Sequence, residues 1–408
     1  MVAATVAGVF ARRASWDLRA SPLAAALAAR RSRGQPVLDL TESNPTRAGI
    51  REPGEALARA LAEVAADPAS LRYESEPRGD RRAREAIAAV HAAHGAALDP
   101  AHVILTAGTS EGYAHLFRLL ADPGDRVHLP SPGYGLFEHL AGLEGLEAAA
   151  YPLSAGRGAR WRVDLDALAA SLGPRSRALL AIHPHNPTGS TLDSDDLASF
   201  RALARERGLA LLSDEVFAES VACGAPFRSL LAGAADGPLH FVLSGASKLL
   251  GLPQLKVAWI AVGGPPSARD DALARLEFVA DAFLSVSPLL ARTLARLLPQ
   301  RESLTRMLRA RLAENRARLA ALAATGPVHA LPSEAGWAAI LRVRTREGDD
   351  EALARRLLEQ TGVLVQPGSL FELAAEPGTA QLVVSLLPEP ERLARGLAAL
   401  AAFAATLA

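Results

Sequence analysis

Between residues 100 and 262 short apolar runs alternate with amphipathic stretches, and this rhythm restricts the possible folds more than any other feature of the chain. HVILT (102–106), RVHLP (126–130), RALLAI (177–182), LALLS (209–213), HFVLS (240–244) and KVAWIAV (256–262) read as strands, and the patterns at 110–120 and 194–207 between them read as helices. Strands apolar on both faces need cover on both faces. The segment therefore predicts an α/β fold, a mainly parallel sheet flanked by helices, with ligands gathered where strand ends meet helix starts. From 266 to 324 the pattern changes to long helices, interrupted at Ser287-Pro288 and Pro299. After Gly326 a smaller set of strands (337–343, 363–366, 381–386) with helices near 350–360 and 390–405 predicts a second, α+β unit. The expected division is a large domain over 46–290 and a small domain built from 1–45 and 291–408.

Composition narrows the function. Half of the 408 residues are hydrophobic and 22% are charged, as in a soluble globular protein. Lys plus Arg and Asp plus Glu both number 44, so the strongly basic balance of a nucleic-acid binder is missing. No DNA-binding module is expected in the stretch before Leu38, and no nucleic-acid partner follows from the charge. Cys223 is the single thiol, which excludes an intrachain disulfide and a cysteine-based metal knuckle and fits a reducing cytoplasm. The longest apolar candidate for a membrane span, 396–408, has 13 residues, short of the roughly 18 required. The first ten residues lack a basic leader, so no secretory signal is expected. His183 and His185 have no third ligand nearby in the sequence, so no metal site is expected.

Lysine is nearly absent. The chain has two, Lys248 and Lys256, and the other 42 basic residues are arginine. Arginine keeps its proton at any working pH, whereas a lysine amine can lose it and attack a carbonyl, so lysine is the side chain that forms Schiff bases. A chain that avoids lysine retains it where that chemistry is needed, and these two stand eight positions apart.

Several strand ends carry polar residues that an apolar core would not select. After HVILT comes Gly108-Thr109-Ser110, a small turn whose amides and hydroxyls suit a phosphate, or whose hydroxyls cap a helix. After RALLAI comes HPHNPTG, whose prolines and glycine fix the backbone and present Asn186. After LALLS comes Asp214-Glu215, two acids at the end of a buried strand, where a carboxylate needs a cation partner unless it caps a helix. The order Gly108-Thr109-Ser110, PSPGY ending at Tyr134, HNPTG, DEVF, and SGASK ending at Lys248 resembles the fold-type-I pyridoxal-phosphate enzymes, in particular the class I/II aminotransferases. The resemblance runs from about Leu38 to the C-terminus, and five motifs in the correct order make it specific.

The resemblance implies an aspartate-aminotransferase-like fold and an aminotransferase that exchanges an amino group between an amino donor and a 2-oxo acid. Lys248 would form the Schiff base and carry protons, Asp214 would pair with the pyridine nitrogen of pyridoxal 5′-phosphate, and Asn186 would donate to the ring hydroxyl. Tyr134 would stack on the ring, while Gly108, Thr109 and Ser110 would cradle the phosphate. Tyr73, in YESEPRGD, would reach the partner's phosphate across a homodimer. Asn44 and Arg47 of TESNPTR lie on the loop that closes over substrate in this family. The same scaffold also supports a C–S β-lyase or a decarboxylase.

Three positions depart from the family pattern. Phe217 stands where a tyrosine hydroxyl would support the ring oxygen. Lys256 stands where an arginine would grip the phosphate, and is expected to act as its counter-ion. Val383 stands where an arginine would fork onto the substrate carboxylate. Either another arginine replaces it, with Arg47 the first candidate and Arg342 and Arg344 weaker ones, or the substrate lacks a carboxylate there.

Overall fold

The structure, a computed structural model, describes residues 9–155, 160–222, 227–233, 237–323, 326–345, 348–374 and 376–407; Cys223 lies outside them. In chain order the strands are β1 (Leu38–Asp39), β2 (Val103–Thr106), β3 (Arg126–Ser131), β4 (Glu147–Ala155), β5 (Trp161–Val163), β6 (Ser176–Ile182) and β7 (Ala210–Asp214). They continue with β8 (His240–Gly245), β9 (Ala258–Gly263), β10 (Val328–Ala330), β11 (Ala338–Arg344), β12 (Val363–Leu364), β13 (Gln366–Pro367) and β14 (Thr379–Ser385).

Eight strands form the large sheet in the order β2-β9-β8-β7-β6-β3-β4-β5. The five central strands β8, β7, β6, β3 and β4 run parallel. Their apolar runs serve two cores at once: Leu179 and Leu211 face one side, Leu180 and Leu212 the other. This double burial is why the sequence shows continuous apolar runs there and no alternation. The helices Thr109–Leu120 and Ser194–Arg207 connect successive elements of this sheet, the second opened by an Asp193 capping box and closed by Gly208 in the left-handed region.

The sheet departs from the sequence expectation at both ends. β9 is antiparallel to both neighbours, β8 and β2. It begins at Ala258, so Lys256 precedes the strand, with φ of 53°. β4 and β5 were not expected, because EAAAYPLSA is rich in alanine and contains a proline, all poor strand formers. β4 forms through pairing with β3, and Pro152 falls at the last register position, where a lost donor costs little.

The smaller sheet has the order β10-β11-β14-β13, all antiparallel. The single strand expected over 363–366 is two: β12 pairs in parallel with β1, and β13 joins β14. The apolar face of this sheet packs with Leu40, Ala48, Ile50, Leu308, Leu353 and Leu397 into one core. Ala291, Leu294 and Leu304 pack instead with Val103, Leu105 and Trp259 of the large sheet. The two units are clamped together at Gly189, whose carbonyl accepts from the Ala335 amide at 2.8 Å. Gly189 has φ of 68°, and a Cβ there would collide with Ser333 and Ala335, so only glycine fits.

Candidate functional site

The carboxyl ends of the parallel strands and the small sheet enclose a cavity of about 230 Å³. Thr109 after β2, Tyr134 after β3, Asn186 after β6, Asp214 at the end of β7 and Lys248 after β8 all line it. Five turns spread over more than a hundred residues thus converge: four follow parallel strands, which deliver their carboxyl ends to one side of the sheet, and β2 runs the same way as β8 because β9 is antiparallel to both.

Lys248 lies in the short turn of helix Ala246–Leu249. Its ammonium forms no ion pair within the described residues and sits over two aromatic rings, 4.8 Å from the Trp337 centroid and 5.8 Å from that of Phe217. Burial lowers its pKa below the ordinary lysine value, with nearby Asp214 opposing the shift. A lysine with a weakened hold on its proton is a better nucleophile.

Among the described residues Asp214 has no cation within ion-pair distance. Its partners are neutral donors: Tyr113 Oη donates to Oδ2 at 2.8 Å and the Val216 amide to Oδ1 at 3.1 Å. Burial raises its pKa to about 6, and those two donors and Lys248 hold it from rising further. The Tyr113 phenol is pushed well above its ordinary range by burial and by Asp214, so it remains a donor. Glu215 points elsewhere, accepting from Ser213 Oγ at 3.0 Å and the Leu230 amide at 2.8 Å. Burial raises it to about 7.

The Asn186 amide makes no hydrogen bond within the described residues and faces the cavity. The histidines beside it are occupied: His183 Nε2 meets the Arg228 carbonyl and His185 Nδ1 meets Thr188 Oγ1, and burial depresses them to about 4 and about 3. No cluster of three or more His, Cys, Asp or Glu placed for a metal occurs among the described residues. Gly108 caps the helix Thr109–Leu120, and a Cβ on it would lie 3.4 Å from Lys256 Nζ, so the second lysine comes to the same turn. Ser110 is exposed one residue beyond. Ser244 Oγ, at the end of β8, is buried without a partner.

The remaining expected residues lie elsewhere. Tyr73 is 80% exposed and does not touch the cavity of its own chain. Asn44 Oδ1 is held in its own turn by the Thr46 amide and hydroxyl, and Arg47 is solvent-facing, 3.3 Å from Glu42. From that loop it is Thr41 and Ser43 that reach the cavity. The sequence reading missed Tyr113, Trp337, Gln366, Phe371 and Ser385 as lining residues. Tyr113 left one signal, a hydroxyl four positions past Thr109 on an otherwise apolar helix face; the others come from the small unit and depend on how it docks.

The class I and II aminotransferase model matches residues 35–400. The chain belongs to that family. It is 28% identical over 386 residues to the arginine–pyruvate transaminase of Pseudomonas aeruginosa, covering 93% of this chain and 92% of that enzyme. With the S-alkyl-thiohydroximate lyase of Arabidopsis thaliana it shares 32% identity over 168 residues, 41% of this chain, and there the chain spans about a third, 36%, of the relative's length. Among solved structures, the alanine aminotransferase of Pyrococcus furiosus superimposes with a TM-score of 0.88 at 19% identity, covering 97% of this chain and 100% of that one. That likeness shows the fold alone: an aspartate-aminotransferase-like large domain with a smaller antiparallel unit. No helix of the described residues is long and apolar enough to cross a membrane.

Proposed function

We propose that this class I/II family member is a pyridoxal-phosphate-dependent aminotransferase, acting in the cytoplasm on an amino donor and a 2-oxo acid. The observation that carries the reading is the pairing, in one cavity, of an unpaired lysine of weakened basicity with a buried carboxylate held by Tyr113. The residues fit the cofactor used by this family. When bound, it supplies an aldehyde carbon to amines and a ring that accepts electrons.

Each residue's role follows from its place. Lys248 Nζ would be the nucleophile toward the aldehyde carbon and, as a free amine, would carry the proton of the substrate's amine-bearing carbon. Asp214 would offer its carboxylate to a ring N–H, and Asn186, which follows the neighbouring strand β6, would donate to the ring hydroxyl. Tyr134, 46% exposed at the rim, supplies a ring for stacking. Thr109, Gly108 and Ser110 offer hydroxyls and backbone amides at a helix start, with Lys256 as counter-ion. A homodimer completes the site. Exposed Tyr73 lines a surface groove with Ala280, Leu284 and Val286, an apolar patch suited to a partner subunit, and from there it is free to serve the partner's phosphate.

Incubating the holoenzyme with an amino donor tests the reading. A transaminase leaves pyridoxamine phosphate on the protein and releases a 2-oxo product. Release of ammonia with the cofactor returned unchanged would make the protein a lyase, the reading favoured by the likeness to the plant enzyme.

Two expectations concern cofactor binding. Lys256→Ala should weaken pyridoxal phosphate by roughly 10- to 100-fold, as for loss of a hydrogen bond to a charged group, while leaving phosphate-free pyridoxal unaffected. Equilibrium titration of both ligands by absorbance checks this, and equal losses for both would remove Lys256 from the phosphate. The pH dependence of binding isolates Tyr113. Asp214 keeps its proton up to about pH 6, and only the ionised form pairs with a protonated ring, so binding strengthens as pH rises through that value. The groups facing this carboxyl are the Tyr113 hydroxyl, the Val216 amide and Lys248. In Tyr113→Phe the lost donor pushes the carboxyl higher still, and the binding midpoint should move up by about 1–2 pH units.

A further inference from the structure

β13 places Gln366 directly opposite Val383 of β14, and β11 places Ile340 opposite Val383 on the other side. Residues directly opposite share a face, so Gln366, Val383 and Ile340 look the same way, as do Ser385 and Ala338 two positions along. That face closes the cavity: Gln366, Ser385 and Ala338 line it, while Val383 is 1% exposed and packed against Ile340, Phe371 and Leu373. Where the family pattern places an arginine, the sheet therefore holds a buried valine with an amide beside it.

Gln366 faces the cavity with no hydrogen bond to its side chain among the described residues, and the same holds for Ser43 on the facing loop. Lys248 is the one cation among the lining residues. The arginines considered as replacements are occupied or outside: Arg47 faces solvent beside Glu42, Arg342 is paired with Glu376, and Arg344 is exposed. A carboxylate at Gln366 would thus be desolvated with no cation to meet it, in a site that already holds Asp214. An uncharged carbonyl or hydroxyl would find the Gln366 amide and the Ser43 hydroxyl ready to bond, and the Ser385 hydroxyl, whose oxygen already accepts from the Leu387 amide at 3.1 Å, able to donate.

We propose that Gln366, assisted by Ser385 and Ser43, anchors the substrate, and that the substrate is a primary amine bearing an uncharged polar group, carbonyl or hydroxyl, beside the amine-bearing carbon. Its body is apolar, matched to Tyr134, Leu136, Phe371 and Trp337. The proposal rests on the aminotransferase reading and names the class of its amino donor; the carboxylate of a 2-oxo acid in the same cavity would have Lys248 as its cation.

Matched probes on the holoenzyme test it: phenylalanine, phenylalanine amide and phenylalaninol, each scored by kcat/KM for bleaching the cofactor band. The amide and the alcohol should exceed phenylalanine by about tenfold or more, the scale of one buried charge left without a partner. Gln366→Ala should lower kcat/KM for the two neutral probes by about 5- to 30-fold while leaving the cofactor band in place, which confirms that the variant is folded. Gln366→Arg should reverse the order in favour of phenylalanine. Preference for phenylalanine in the wild type, or neutral-probe rates unchanged in Gln366→Ala, overturns the proposal and leaves the aminotransferase reading standing. Amines of every kind leaving the band unaltered would overturn both.

Discussion

Lys248→Ala should lose amino transfer by at least about 10²- to 10⁴-fold, the scale of a lost proton carrier alone, and with it the visible band of cofactor bound through the lysine. The effect should be confined to chemistry. Lys248 has no ion pair to break, and its nitrogen rests on the faces of Trp337 and Phe217, which pack edge to face at 5.6 Å and do not need it to hold their places. Removing a desolvated amine whose pKa burial already lowers also relieves a cost to folding, so the melting temperature should hold or rise. Steady-state rates beside calorimetry check both halves. A variant retaining a tenth of the wild-type rate would remove Lys248 from the reaction, and a collapse of the melting temperature would recast it as structural.

Asp214→Asn should give the second largest loss, and here stability and activity should move in opposite directions. The folded carboxyl has its pKa raised to about 6 from an ordinary 3.8, so its contribution to stability is complete below the lower value and is lost as pH rises through the upper one. At pH 7 the cofactor-free protein therefore carries a buried charge costing on the order of 3 kcal/mol, which asparagine of the same shape does not. The Tyr113 hydroxyl can still donate to the amide oxygen. The amide cannot balance a ring cation, and breaking a buried charge pair costs about 3–5 kcal/mol, or roughly 10²- to 10⁴-fold in rate. Denaturant unfolding of the cofactor-free protein at pH 5 and pH 8, set beside the transamination rate, reads both effects. A stability gap between Asp214→Asn and wild type that does not widen with pH would refute the account of this carboxyl.

How much of this could be seen in the sequence depended on how local each signal was. The strands of the large sheet were legible because two-sided burial writes an uninterrupted apolar run, as in RALLAI and HFVLS, and the residues that converge on the cavity were legible because they follow those runs directly. β4 was not, since its alanines take strand form only through β3. The direction of β9 was hidden too, because an apolar run does not record which way it points. The neutral donors around Asp214 were hidden for a similar reason. A buried acid requires donors, but sequence cannot say whether a cation or, as at Tyr113 and Val216, neutral groups supply them. The cavity wall formed by Trp337, Gln366, Phe371 and Ser385 belongs to a unit whose docking is set through contacts such as that between Gly189 and Ala335, which are far apart in the chain.

The reversal of β9 explains the spacing of the two lysines. A parallel β9 would have to start at the far side of the sheet, and its leading residue would lie about one strand length, roughly 20 Å, from the cavity. Running backwards, β9 starts where β8 ends, so the chain leaving Lys248 needs only a tight loop to bring Lys256 to the turn that follows β2. Gly245 lets the two strand ends meet, a Cβ there coming within 2.8 Å of Ala258. The eight-residue interval is thus a molecular ruler: insertions or deletions within 249–257 would leave both strands intact and yet separate the Lys248 amine, proposed to do the chemistry, from the Lys256 charge, proposed to hold the cofactor's far end.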